Sequence, residues 1–136
     1  MLNNLLHATP LKETMGTPIK SANLLIHGPV LVVEDEPYEQ NRLKRLFFSL
    51  GYRSEELIMA SSLQEARAYS ATAAIHDLAF VLVDLGLPDG CGSSFIADLR
   101  RSSVGLPIFV SSSWTSYDEI FNAIRAGALG YLLKDR

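Results

Sequence analysis

Four short apolar runs in this chain end on side chains that could act together. Val30–Val33 is followed by Glu34-Asp35-Glu36, Leu78–Val83 by Asp84, Pro107–Val110 by Ser111-Ser112-Ser113, and Tyr131–Leu133 by Lys134. Glu34, Asp35 and Asp84, brought together, would repel one another and raise at least one carboxyl pKa unless a cation neutralised them. Donors that are all oxygen suit a hard divalent ion, and Mg²⁺ is the economical choice because it takes one or two carboxylates and keeps water and phosphoryl oxygens as its other ligands. No His or Cys spacing points to zinc. The Lys134 ammonium and the Ser112 hydroxyl would suit the remaining oxygens of a phosphoryl group, which leaves Asp84 to attack phosphorus and form an aspartyl phosphate.

Each piece alone has a plainer reading. Acids ahead of a helix meet its dipole favourably, an aspartate can cap or turn a chain, serine runs form loops, and a lysine near a chain end is commonly solvated. Their joint occurrence at the ends of the first, third, fourth and fifth apolar runs argues for a site, because open parallel sheets bind ligands just beyond the carboxyl ends of their strands.

The elements that must place these residues are legible as alternating apolar runs and amphipathic stretches. The runs at Val30–Val33, Leu57–Ala60, Leu78–Val83, Pro107–Val110 and Tyr131–Leu133 predict five strands, mostly without polar interruption, as in a parallel sheet covered by helices on both faces. Leu43, Leu46, Phe47 and Leu50 fall at i, i+3, i+4 and i+7 between Pro37 and Gly51, which predicts the first helix. Ser62-Leu-Gln-Glu65 reads as a capping box for a second helix with a small apolar face through Ala66 and Tyr69. A third helix carries Phe95, Ile96 and Leu99. A fourth begins near a second candidate box, Ser116-Tyr-Asp-Glu119, and runs through Ile120, Ala123 and Ile124 to Gly127. The order is βαβαβαβαβ, a doubly wound α/β domain over residues 29–136, preceded by an extension, 1–28, in which Pro10, Gly16 and Pro18 break any sustained period. A fifth helix, needed to cover the last strand on one face, is missing from this sequence; either a longer chain supplies it or the extension, with Leu2, Leu5 and Leu6, packs there.

The 136 residues, 48% hydrophobic and 20% charged, fit one globular domain. A net charge of −3 disfavours binding nucleic acid by charge alone, so a DNA-contacting module would lie outside this chain. The lone Cys91 can form neither an internal disulfide nor a multi-cysteine zinc site, the start lacks a signal-peptide pattern, and no apolar stretch is long enough to span a membrane. Cytoplasmic residence without membrane contact is the expectation.

Together these segments resemble the receiver domain of two-component response regulators. Val30-Leu-Val-Val-Glu-Asp-Glu-Pro37 is similar to the first strand with its acidic pair, Leu82-Val-Asp-Leu-Gly-Leu-Pro-Asp-Gly-Cys-Gly92 to the phosphoacceptor strand and loop, Pro107-Ile-Phe-Val-Ser-Ser-Ser113 to the strand that delivers the switch hydroxyl, and Ala126-Gly-Ala-Leu-Gly-Tyr-Leu-Leu-Lys-Asp135 to the last strand with its lysine. The ending Gly130-Tyr-Leu-Leu-Lys-Asp135 resembles the NarL/FixJ type, which usually precedes a LuxR-type helix-turn-helix. The resemblance implies a flavodoxin-like fold and Mg²⁺ as cofactor. It implies Asp84 as phosphoacceptor and metal ligand, Asp35 as the other direct carboxylate ligand, Glu34 acting through a metal-bound water, and Gly86 lending its backbone carbonyl. Ser112 would bond a phosphoryl oxygen, Lys134 would bridge carboxylate and phosphoryl, and Tyr131 would be the aromatic switch. The partners implied are a sensor histidine kinase or phosphotransfer protein and a second copy of the chain, with transcription controlled through a DNA-binding domain not present here.

Two positions depart from the common pattern: Gly86 has no side chain two residues after the acceptor, and Trp114 is very large two residues after Ser112, where it would shield the acyl phosphate or anchor a partner. An aspartyl-nucleophile phosphatase of the haloacid-dehalogenase type would need a second Asp at position 86 as acid and base, and Gly86 cannot titrate. A stand-alone receiver, or a pseudo-receiver serving only as an interaction module, is the other alternative. The full set of acceptor, acids, hydroxyl and lysine weighs against the pseudo-receiver.

Overall fold

The structure, a computed structural model, describes residues 28–113 and 117–134. Five parallel strands, β1 (Val30–Val33), β2 (Leu57–Ala60), β3 (Phe80–Asp84), β4 (Ile108–Ser112) and β5 (Gly130–Leu133), form one sheet in the order β2-β1-β3-β4-β5. Four α-helices connect them: α1 (Pro37–Ser49), α2 (Leu63–Ser70), α3 (Gly92–Ser102) and α4 (Tyr117–Ala126). The order of elements is the predicted one. The extension up to residue 27, Trp114, the candidate box at Ser116 and the terminal Asp135 lie outside the described residues.

Sheet pairing divides the core in two, because successive strand side chains face opposite sides. Leu31 and Val33 of β1 join Val81, Val83, Ile108 and Val110 beneath α2, α3 and α4, where Phe95, Ile96, Leu99, Ile120 and Ala123 complete the larger cluster. Val30, Val32, Phe80 and Leu82 face the other way, onto Leu43 and Phe47 of α1, with Phe109 packed at the margin. The central strands β1 and β3 are buried along their whole length, which is why they read as unbroken apolar runs.

Several boundaries differ from expectation. The third strand starts at Phe80 rather than Leu78, because Ala73–Asp77 form a 3-10 turn capped by the Thr72 hydroxyl, with Leu78 closing it. The third and fourth strands extend into their polar ends, since the Leu85 N–H donates to the Ser111 carbonyl at 3.0 Å and the Lys134 N–H to the Ser112 carbonyl at 2.7 Å. Leu50, the last of the i, i+3, i+4, i+7 set, closes α1 as its C-cap and is 46% exposed, so the buried stripe of that helix rests on Leu43 and Phe47. The capping box of α2 is offset by a residue: the Ser62 hydroxyl accepts the Glu65 N–H at 3.0 Å, but the Glu65 carboxylate reaches back to the Ser61 N–H at 2.7 Å.

At the amino ends of β4 and β5 the chain is held by Arg100 of α3. Its guanidinium donates to the carbonyls of Val104 and Leu106 at 2.7 Å each, more distantly to Ser103 at 3.4 Å, and to Gly127 at 2.7 Å. Gly127 has φ +128°, and a Cβ there would stand 2.9 Å from Arg100 Nε, so the glycine is required both by the turn and by the arginine lying against it.

Candidate functional site

The opposite rim carries the charge. Because Val33 pairs with Val83 in parallel register, the next residues, Glu34 and Asp84, emerge side by side from the two central strands. Asp35 follows in the loop to α1, whose start is capped by the Glu36 carboxylate accepting the Glu39 N–H at 3.1 Å. Carboxylate oxygens of Glu34, Asp35 and Asp84 lie within 4.8 Å of one another. Glu34 and Asp84 are buried, at 1% and 3% exposure, and Asp35 is half-buried.

Lys134, just beyond the end of the edge strand β5, reaches across into this cluster. Its ammonium lies 3.1 Å from Asp84 Oδ2 and 3.2 Å from Glu34 Oε1. Burial works against its charge, but the Asp84 and Glu34 carboxylates outweigh that and hold its pKa above the usual lysine value. Asp84 Oδ1 accepts the Gly86 N–H at 2.9 Å and Glu34 Oε2 accepts the Glu36 N–H at 3.1 Å. Burial, reinforced by the Asp84 charge, pushes the Glu34 carboxyl up to about 7, which is the perturbation expected of gathered acids. Glu34 Oε1 is buried and meets the Lys134 ammonium as an ion pair. Three gathered carboxylates, two of them buried, set against the single Lys134 ammonium, are a donor set that fits Mg²⁺.

The structure therefore brings Glu34, Asp35, Asp84 and Lys134 together. Ser112 is buried one residue beyond the strand position that pairs with Asp84, and its hydroxyl donates to the Ser113 carbonyl at 3.0 Å. Gly86 touches the cluster through its N–H. Its φ is not positive and a Cβ would sit 3.6 Å from Asp84 Oδ1, so the backbone does not demand a glycine there. Tyr131 does not join the cluster: it pairs with Val110 on β5 and is 42% exposed.

Two residues that sequence reasoning passed over also touch this rim. The Gln40 side chain of α1 donates to the Glu34 carbonyl at 2.6 Å, and the Asp89 carboxylate accepts the N–H groups of Leu63 and Gln64 at 3.0 Å each. The Leu63 and Gln64 amides hold the Asp89 carboxyl below the usual carboxylate range. The turn pair Asp89-Gly90 was visible in the sequence, but nothing in it says which helix the aspartate caps.

Curated relatives include the KDP operon transcriptional regulatory protein KdpE and the transcriptional regulatory protein PhoP, both of Escherichia coli K12, at 39% and 36% identity over 105 residues. The match takes in 77% of this chain and 44% of each relative, so the chain spans less than half the length of the proteins it resembles. The relatives named KdpE and PhoP support the family and lend no support to the NarL/FixJ subfamily suggested by the ending at Asp135. Among solved structures, the CheX-CheY-BeF3-Mg+2 complex from Borrelia burgdorferi matches with a TM-score of 0.70 at 17% identity, covering 80% of this chain and 79% of that one, a likeness of fold. The model of the response regulator receiver domain matches residues 30–136, and the chain belongs to that family.

Proposed function

We propose that the chain is the phosphoaccepting module of a two-component pathway, with Asp84 taking a phosphoryl group from a phosphohistidine on a sensor kinase or phosphotransfer protein. The observation that carries this reading is the buried Asp84 carboxylate ion-paired to Lys134 inside a cluster of three carboxylates. In the transfer, an Asp84 carboxylate oxygen forms a bond to phosphorus while the bond from phosphorus to the donor nitrogen breaks and its electron pair stays on the imidazole. The donor supplies the reactive bond, so the receiver's task is positioning and charge stabilisation.

Asp35, Asp84 and the Gly86 carbonyl would hold Mg²⁺, with Glu34 acting through water, and the bound ion would supply positive charge against the phosphoryl oxygens. The chain's own groups do the rest. The Gly86 N–H fixes Asp84 through Oδ1, which keeps the carboxylate from rotating. Lys134, already against Oδ2, moves its charge from carboxylate to phosphoryl oxygen as the carboxylate becomes an acyl phosphate. Ser112 exchanges its bond to the Ser113 carbonyl for one to a phosphoryl oxygen, and Tyr131, exposed in this structure, follows inward as the conformational reporter. The Borrelia structure is named as a complex with BeF3 and Mg²⁺, which supports the same ligand chemistry here.

The output surface is the one around α4 and β5. Tyr117, Phe121, Leu129, Tyr131 and Leu133 are all substantially exposed, which suits a second copy of the chain or another partner domain. The relatives' names as transcriptional regulators support control of transcription through a DNA-binding region outside this chain. Among the described residues no helix is long and apolar enough to cross a membrane.

The test is intact-mass analysis after incubation with acetyl phosphate, or with a phosphorylated histidine kinase, with and without Mg²⁺. One phosphoryl group is expected on the wild type, only with Mg²⁺, and none on Asp84→Asn. Retained labelling in that variant overturns the assignment, because an amide cannot form an acyl phosphate.

A further inference from the structure

Glu34 and Asp35 of the site sit in the loop after β1 and Asp84 is the last residue of β3, and both the loop after β1 and the loop that follows Asp84 are tied to the first turn of α2, a helix that offers no ligand. On one side, Gln40 Nε2 donates to the main-chain carbonyl of Glu34 at 2.6 Å and to the Ser61 hydroxyl at 3.2 Å. Ser61 in turn donates its N–H to the Glu65 carboxylate of α2 at 2.7 Å. On the other side, Asp89 of the loop after β3 receives the N–H groups of Leu63 and Gln64.

A helix leaves its first N–H groups without internal partners. In α2 the Ser62 hydroxyl takes the Glu65 N–H, while Asp89, 26 residues beyond Leu63, takes the Leu63 and Gln64 N–H groups. Half the cap is local, and the other half belongs to the phosphoacceptor loop. That loop lies flush on the helix: a Cβ at Gly90, where φ is +155°, would come 3.0 Å from Leu63 Cδ1. Between Asp84 and Asp89, Leu85 and Leu87 are buried in the core and Gly86 donates to the Asp84 carboxylate, so the segment has an anchor at each end and little slack between them.

We infer that Gln40 and Asp89 are positioning residues of the acidic site, Gln40 fastening the loop that bears Glu34 and Asp35, and Asp89 the loop that leaves Asp84, to the first turn of α2, which serves as a common abutment for both. This rests on the reading of that site as a Mg²⁺-dependent phosphoacceptor. Neither side chain belongs to the carboxylate cluster. Gln40 acts through the Glu34 backbone and Asp89 through Gly86 and the path of the loop.

The experiment compares Mg²⁺ titrations, followed by backbone amide resonances, for the wild type, Gln40→Ala, Asp89→Ala, Asp89→Asn and Ser62→Ala. Ser62→Ala is the control, because it removes the local half of the α2 cap and leaves both ties in place. Asp89→Ala and Gln40→Ala are expected to weaken Mg²⁺ binding roughly 3- to 10-fold, less than a direct outer-shell partner would, and to shift the Gly86 and Asp35 amides respectively. Ser62→Ala is expected to lower the thermal midpoint while leaving Mg²⁺ affinity within about twofold, since a cap acts on helix stability. Asp89→Asn, whose amide oxygen still accepts an N–H, is expected to recover part of the loss. Equal weakening by Ser62→Ala and Asp89→Ala would reduce the effect to helix stability and overturn the inference, as would an unchanged titration in Asp89→Ala. If Asp89→Ala does not fold, Asp89→Asn and Gln40→Ala carry the same comparison. A wild type that binds Mg²⁺ but takes no phosphoryl group from acetyl phosphate would overturn the phosphoacceptor reading while leaving the comparison of loops intact.

Discussion

Gly127→Ala should be among the most damaging single substitutions outside the acidic site. Alanine at φ +128° is strained, at about 1–3 kcal/mol for a residue held in a sparsely populated region. The new Cβ would also stand 2.9 Å from Arg100 Nε and 3.0 Å from its Cγ, so the arginine must leave. Its retreat breaks at least the bond to the Gly127 carbonyl, and hydrogen bonds from charged donors are worth about 1.5–3 kcal/mol each. Even near the lower end of that sum, about 3 kcal/mol, the loss is a large part of the stability of such a domain and corresponds to a fall in Tm of about 10–20 °C. Thermal unfolding by circular dichroism reads this directly. Arg100→Ala removes the Nε and Cγ collisions and leaves the 3.2 Å approach to its Cβ, so Gly127→Ala added to it should cost chiefly the backbone strain, and the two losses should fall short of additive by about 1 kcal/mol or more. A shift below about 3 °C for Gly127→Ala, or strict additivity in the double variant, would refute the description of Arg100 as a clamp closed over that turn.

Three further outcomes follow from the rim. Glu34 holds a proton in the folded state up to about pH 7 that its usual carboxyl pKa of 4.5 would release, so its contribution to stability is full below 4.5 and is lost as pH rises towards 7; Glu34→Gln should flatten that part of a Tm-against-pH profile, and an unchanged slope would contradict it. Asp35→Ala should weaken Mg²⁺ binding by removing a half-buried carboxylate that takes no part in the Lys134 ion pairs, leaving the metal-free Tm nearly unchanged, both measurable by calorimetry. Lys134→Met should raise the Glu34 carboxyl pKa still further, since the ammonium is among the groups that lower it, and NMR titration of the Glu34 side chain would report the change.

The strand order and the rim were legible because a covered parallel sheet writes its strands as apolar runs, and the residue that ends each run is where ligands meet the fold. The depth of each acid was not. Glu34 and Asp35 are adjacent in sequence, yet Glu34 lies almost fully buried against Asp84 and Asp35 is half open, a difference set by the pairing of Val33 with Val83. Asp89 and Arg100 are illegible for a common reason: each spends its charge on backbone groups, as distant as Leu63 for Asp89 and Gly127 for Arg100, and backbone groups have no signature in a sequence. Gln40 was hidden differently, as an ordinary polar residue on a helix whose apolar stripe drew the attention. The third strand starts later than its apolar run because Leu78, apolar enough for a strand, closes a 3-10 turn.

The position of the Arg100 clamp has a consequence for how such a domain can change over time. It grips the turns that lead into β4 and β5, at the end of the sheet away from the clustered acids, using main-chain carbonyls that no substitution at their own positions removes. Electrostatic conflict is concentrated at one pole and cohesion at the other. Side chains around the acidic pole can therefore be exchanged, retuning how long a modification persists or which donor is accepted, without loosening the floor on which the strands stand. Variation tolerated by folding should cluster at the acidic pole, and a library randomised there should yield far more folded members than one randomised around Arg100 and Gly127.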